Sequence, residues 1–239
     1  MLCIAVFVTL PSSCSGISTV VSPGNATGAD NNSVQSAVPQ TVTAGDNQTG
    51  GSTLTPLIGA GDYDRVIGEA GATLDGNPED LILREKLADA YIARAWYYKV
   101  KRLNPYTLND LSKAVEIAPK YYRAYYELGR FHNNQWQFSI GLLDLNKALS
   151  LKPDYAPAYS ERGYSNYKNQ KYDAALVDVN KAIELDAADG QFYYMRSLVY
   201  RAMGKNDLAI SDLETTIRLS KDQSLTDKAG ADLLLLQPK

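Results

Sequence analysis

"AYSERGYSNYKNQKYDAALVDVNKAIELD", Ala158–Asp186, is the stretch that decides the fold. Its first half sets Ala158, Tyr159, Arg162, Gly163 and Asn166 at i, i+1, i+4, i+5 and i+8, one stripe of a helix. After Asn169-Gln170-Lys171 a second stripe follows: Tyr172, Ala175, Leu176, Val179, Ala182 and Ile183. The period is 3.6 rather than 2, so two amphipathic helices joined by a tight turn are expected. Small Gly163 and Ala175 mark where the pair must approach closely.

The same pattern recurs along the chain. Tyr91, Tyr125, Tyr159 and Tyr193 are 34 residues apart, as are Asp110, Asp144, Asp178 and Asp212. Ala114, Ala148 and Ala182 keep the step and Thr216 completes it, while Ile117, Leu151, Leu185 and Leu219 form another column. Pro119 and Pro153 end the second helix of their units, because a proline ring fixes φ and removes the amide donor. Several columns on one period describe a repeat architecture in which each unit buries its apolar face on the next.

At these residues the chain resembles the tetratricopeptide repeat: a large residue, an Arg-Gly pair, an aromatic, an Ala in the second helix, Lys-Ala-Ile-x-Leu and a terminal proline. The resemblance implies an all-α solenoid of antiparallel helix pairs. The units read as 88–121, 122–155, 156–189 and 190–223. Ala187 and Lys221 stand where a terminal proline is usual, and the first unit has Asn104-Pro105 where a Gly-Asp turn is usual. Pro105 is expected at the first helical position with Asn104 as its cap.

Residues 61–80 look like the second half of a preceding unit. Between Pro78 and Ala88 lie seven residues more than the later units have, so the next first helix should be two turns longer. Residues 224–237 read as an end helix capped by Ser224. The repeat domain as a whole is assigned to 58–239.

Residues 1–14 read as a signal-like segment. Leu2–Leu10 is apolar but too short to span a bilayer, and small residues and Cys14 follow Pro11. Cys14 resembles the lipidated cysteine of a prokaryotic lipobox, although Pro11 and Ser13 depart from that pattern. Simple secretion with loss of Cys14, or a cytosolic start, are the other readings. Residues 15–57 are rich in Gly, Ser, Thr and Asn and read as a disordered linker. The sequons at Asn25, Asn31 and Asn47 all fall inside it. Together these features predict export and a domain tethered on the extracytoplasmic side of a membrane.

Composition narrows the function. The chain of 239 residues has a net charge of −3, with no basic excess to suggest nucleic acid. Its two cysteines, Cys3 and Cys14, precede the folded part, so no thiolate metal site is expected there. Asp110, Asp144, Asp178 and Asp212 sit on successive repeats, too far apart to share one ion. They are read instead as outer-face i,i+3 pairs with Lys113, Lys147 and Lys181. His132 is the only histidine and takes the slot of Tyr98 and Tyr200, an inter-helix packing position. No catalytic residue, metal or small-molecule cofactor is assigned.

All 17 tyrosines lie between Tyr63 and Tyr200. Tyr91, Tyr125, Tyr159 and Tyr193 are expected to fill the core. The resemblance implies that other faces of the first helices line a concave groove. Carried over position by position, that groove presents Ile92, Trp96, Tyr126, Arg130, Asn133, Ser160, Tyr164, Tyr167, Lys168, Tyr194 and Arg201. Such an aromatic and basic surface suits an acidic or amide-rich chain. The expected function is a non-enzymatic interaction module binding an unidentified protein or peptide. The alternative is a structural subunit of an envelope or secretion assembly, docking by its convex face or edge.

Overall fold

The computed structural model describes residues 60–236, with side chains from Asp62 onward. The signal-like segment 1–14 with Cys14, and the linker 15–57 with Asn25, Asn31 and Asn47, lie outside the described residues. Ten helices follow one another: α1 (Ala60–Gly76), α2 (Leu81–Val100), α3 (Asn104–Ile117), α4 (Tyr122–Asn134), α5 (Phe138–Leu151), α6 (Ala156–Lys168), α7 (Tyr172–Leu185), α8 (Gly190–Ala202), α9 (Asn206–Leu219) and α10 (Gln223–Leu236). No strand occurs among the described residues, and no described helix is long and apolar enough to cross a membrane. The fold is an α-solenoid of antiparallel helix pairs: α2/α3, α4/α5, α6/α7 and α8/α9, preceded by α1 and closed by α10. Helix α2 has 20 residues against 13 in α4, matching the two extra turns expected from the sequence.

Small side chains let the paired helices close. Ala114, Ala148, Ala175 and Ala182 have no solvent exposure, and the large residues Ile92, Leu145, Val179 and Leu213 fill the seams between them. A Cβ added at Gly163 would meet Val179 Cγ2 at 2.7 Å, so this glycine is required by close approach. Thr216, in the alanine column, is fully buried; its hydroxyl donates to the carbonyls of Asp212 at 2.9 Å and Gly190 at 3.2 Å.

The turn inside each repeat uses one left-handed residue: Arg102, Trp136, Gln170 and Gly204, with φ of 60°, 62°, 60° and 73°. These also lie 34 residues apart. Only the last is glycine, so three turns hold an L-residue where its Cβ is unfavourable.

Several local expectations are corrected. Leu103, not Asn104, is the N-cap of α3, and no side chain caps it; Pro105 fits because the first-turn amides need no intrahelical partner. Asp222, not Ser224, serves the start of α10, its carboxylate accepting from the Ser224 amide at 2.9 Å. Ile92 is 1% exposed and belongs to the core cluster, not to the groove. The tyrosine column is only half-buried. Tyr125 and Tyr193 keep their hydroxyls at the surface, donating to the carbonyls of Pro119 at 3.3 Å and Ala187 at 3.2 Å.

The largest correction concerns the aspartate column. Asp110, Asp178 and Asp212 are 1%, 4% and 4% exposed and meet arginines, not lysines. Arg94 holds Asp110 through two bonds of 2.7 Å, and Arg196 holds Asp212 through two of 2.8 Å. Arg162 grips Asp178 likewise. The other guanidinium nitrogen of Arg162 reaches Asn146, and that of Arg196 reaches Asn180, on the second helix of the preceding repeat. Each of these two arginines therefore staples three helices. The lysines turn outward: Lys113 pairs with Glu116 and Lys181 with Glu184, both exposed. A buried carboxylate needs a rigid, multidentate donor, and arginine meets that demand where lysine does not. In the second repeat Leu128 takes the arginine place, and His132 serves Asp144 instead.

Candidate binding groove

Successive first helices touch one another (α2 with α4, α4 with α6, α6 with α8), whereas the second helices do not pack together comparably. The first helices are therefore the closer-packed row of the stack, the row to which the resemblance assigns the groove.

At one end Trp96 is the platform. Lys99 Nζ lies 4.0 Å and the Arg130 guanidinium carbon 4.7 Å from its ring centre. Arg130 also stacks on Tyr126 and bonds Glu127 Oε2 at 3.2 Å. Burial, with Arg130 adding repulsion, brings the Lys99 ammonium down to about 8. Next along the groove, Asn133 Nδ2 donates to Glu161 Oε1 at 2.9 Å, and the Ser165 hydroxyl donates to Asn133 Oδ1 at 2.8 Å. Burial raises the Glu161 carboxyl despite the pull of Arg130. Acid is thus interleaved with base: Arg130 and Lys99 face Glu127 and Glu161, and the surface is aromatic and mixed in charge.

In the middle, Lys168 Nζ sits among three rings, 4.7 Å from Trp136, 5.6 Å from Tyr164 and 5.9 Å from Tyr167. Phe138 links this cluster edgewise, 5.9 Å from Trp136 and 6.1 Å from Tyr164. Trp136 is 72% exposed at a left-handed turn position. No carboxylate among the described residues lies within ion-pair distance of Lys168, so its charge is held by ring faces alone.

At the far end the end helix enters the groove. The Tyr194 hydroxyl donates to Asp232 Oδ2 at 3.0 Å and Arg201 meets Asp232 Oδ1 at 2.6 Å. Burial and this carboxylate push the Tyr194 phenol up to about 12.

Of the residues expected in the groove, Trp96, Arg130, Tyr164, Tyr167, Lys168, Tyr194 and Arg201 retain solvent exposure, while Tyr126, Asn133 and Ser160 are buried beneath them. Lys99, Glu127, Trp136, Glu161 and Asp232 were not anticipated. Glu127 and Glu161 are one repeat period apart, a column visible in the sequence. Trp136 and Asp232 lie on a turn and on the end helix, outside the repeat positions that suggest a groove. Among the described residues no group of three or more His, Cys, Asp or Glu side chains could hold a metal ion.

Residues 156–189 and 190–223 match the family model of the tetratricopeptide repeat. A search of curated proteins finds no match. Among solved structures, TTC0263, a thermophilic tetratricopeptide-repeat protein of Thermus thermophilus, is 21% identical with a TM-score of 0.56, over 73% of this chain and 92% of that one. YrrB, a repeat protein with an unusual peptide-binding site, is 19% identical with a TM-score of 0.53, over 72% and 84%. MamA is 22% identical with a TM-score of 0.51, over 72% and 92%. The likeness to these structures is one of fold.

Proposed function

We propose that this tetratricopeptide-repeat solenoid is a non-enzymatic binding module whose concave groove holds a segment of a partner protein carrying acidic side chains. The observation behind this reading is Lys168, an ammonium on Trp136, Tyr164 and Tyr167 with no carboxylate of its own among the described residues. The rings fix the cation in place, so an incoming carboxylate gains a charge-assisted bond without ordering a long side chain. Tyr194 and Arg201 already hold the Asp232 carboxylate at the groove's end, which illustrates the chemistry the face accepts. The peptide-binding site ascribed to YrrB supports the use of such a fold for binding.

Both tryptophans of the chain, Trp96 and Trp136, lie on this face, so intrinsic fluorescence reports its occupancy. Titration with glutamate-rich peptides is expected to give a saturable change that Lys168→Glu abolishes. A wild-type chain that does not respond, or a Lys168→Glu variant that binds as well as wild type, overturns the assignment. Leu143→Glu, at an exposed residue of a second helix, is the control for convex-face docking.

The proposal extends to location: an exported domain carried on the 15–57 tether and anchored through a lipidated Cys14. Its support is the apolar run, the cysteine and the polar tract with its sequons. Mass spectrometry of the mature N-terminus tests it; an unmodified N-terminus beyond residue 16 refutes the anchor.

A further inference from the structure

Among the described residues the two outermost helices are unmatched halves. Helix α1 takes the place of the second helix of a repeat and α10 that of a first helix, and no described helix completes either pair. Among the described helices the closest packing lies between the two helices of one repeat, and no described helix gives α1 or α10 that contact.

The faces left open are the repeat-forming faces. Aligning Pro78 with Pro119 places Val66 in the column of Thr107 and Ala175, and Ala70 in that of Leu111 and Val179. Those four are at most 3% exposed where a first helix covers them, whereas Val66 is 40% exposed. Thr73, in the column of Ala114 and Ala182, is also exposed. On α10 the 34-residue step places Ala231 in the column of Gly129 and Gly163, where paired helices close, and Leu234 in that of His132 and Asn166, which face the second helix. Ala231 is exposed and Leu234 is 73% exposed. The outermost helix of a solenoid normally carries a polar outer face to stop further stacking, whereas this face of α10 carries leucine.

The polar columns agree. Glu69 takes the aspartate place on α1 but is already held by Arg65 at 3.0 Å. On α10 the arginine place is Gly230. Neither end presents a charge that needs the cross-helix staple, so the two can meet without stranding one.

From this complementarity we infer that the open faces of α1 and α10 join head to tail between two copies of this chain, completing one repeat across the junction. The contact is heterologous, so it leaves a free end on each side and growth is open unless the ring closes.

Sedimentation velocity of the full chain over a concentration series tests this. Wild type is expected to form a ladder of species. Val66→Glu and Leu234→Glu should each remain monomeric alone, because each blocks one end. Mixed in equal amounts they should give a dimer and nothing larger, since one keeps its α10 face and the other its α1 face. A wild-type chain monomeric throughout means that another segment covers the face, and overturns the proposal. So does a Val66→Glu variant that assembles by itself, which would signal a symmetric α10 contact, or a mixture that forms no dimer. Circular dichroism confirms folding; Thr73→Arg and Ala231→Arg probe the same exposed faces should either first variant unfold.

Discussion

His132 Nδ1 meets Asp144 Oδ2 at 2.6 Å in the second repeat, at the aspartate that the neighbouring repeats secure with an arginine. One column of aspartates is thus served by two chemistries. Burial raises the Asp144 carboxyl more than His132 lowers it.

His132→Leu should therefore cost about 1–3 kcal/mol, measured as a lower urea midpoint, because it strands a half-buried acceptor. His132→Asn should retain most of the stability, since Asn166 bonds Asp178 at 3.0 Å from the same place one repeat later. Adding Leu128→Arg to His132→Leu should recover much of the loss by restoring the staple.

Arg162→Met removes the partner of a buried aspartate and the link to Asn146 together. The expected loss is about 2–4 kcal/mol by chemical denaturation. Lys181→Met, which breaks only an exposed pair with Glu184, should leave the midpoint unchanged.

Gln170 is exposed with φ of 60°, at the position Gly204 fills one repeat later. Gln170→Gly should stabilise by about 0.5–1 kcal/mol, because relief of left-handed strain outweighs the added freedom of the unfolded chain. Gly204→Ala should cost a similar amount. Differential scanning calorimetry reads both.

Lys99 titrates near 8 in the folded chain and near 10.5 unfolded, where Arg130, Glu127 and Glu161 no longer surround it. Between those values the unfolded state binds more protons, so stability rises with pH; below 8 the penalty is complete and constant. Solvent reaches part of the side chain, so the rise from pH 8 to 10 should be about 1–2 kcal/mol. Lys99→Met should flatten it in urea titrations across that range.

The repeat step, the helix pairs, the longer α2 and the half repeat before it were legible in the sequence. They depend on periodicity and on small residues at fixed intervals, both properties of a single chain read in order. Gly163 shows the limit of that legibility: its smallness marks a close approach, but only the packed structure names Val179 as the neighbour. The cluster of aromatic and basic side chains on the first helices was partly legible. Trp96, Tyr164 and Lys168 follow from repeat position, whereas Trp136 and Asp232 enter it from elements that repeat position does not describe.

The sequence by itself determined a solenoid of paired helices, because amphipathic period and helix-stopping residues act locally. Tertiary structure alone decided the partners of the charges. Asp178 lies three residues from Lys181 and sixteen from Arg162, yet it is the arginine that holds it. Burial removes water from the carboxylate, and only a fork of donors from the adjacent helix replaces that water, while the nearby lysine keeps its own hydration at the surface.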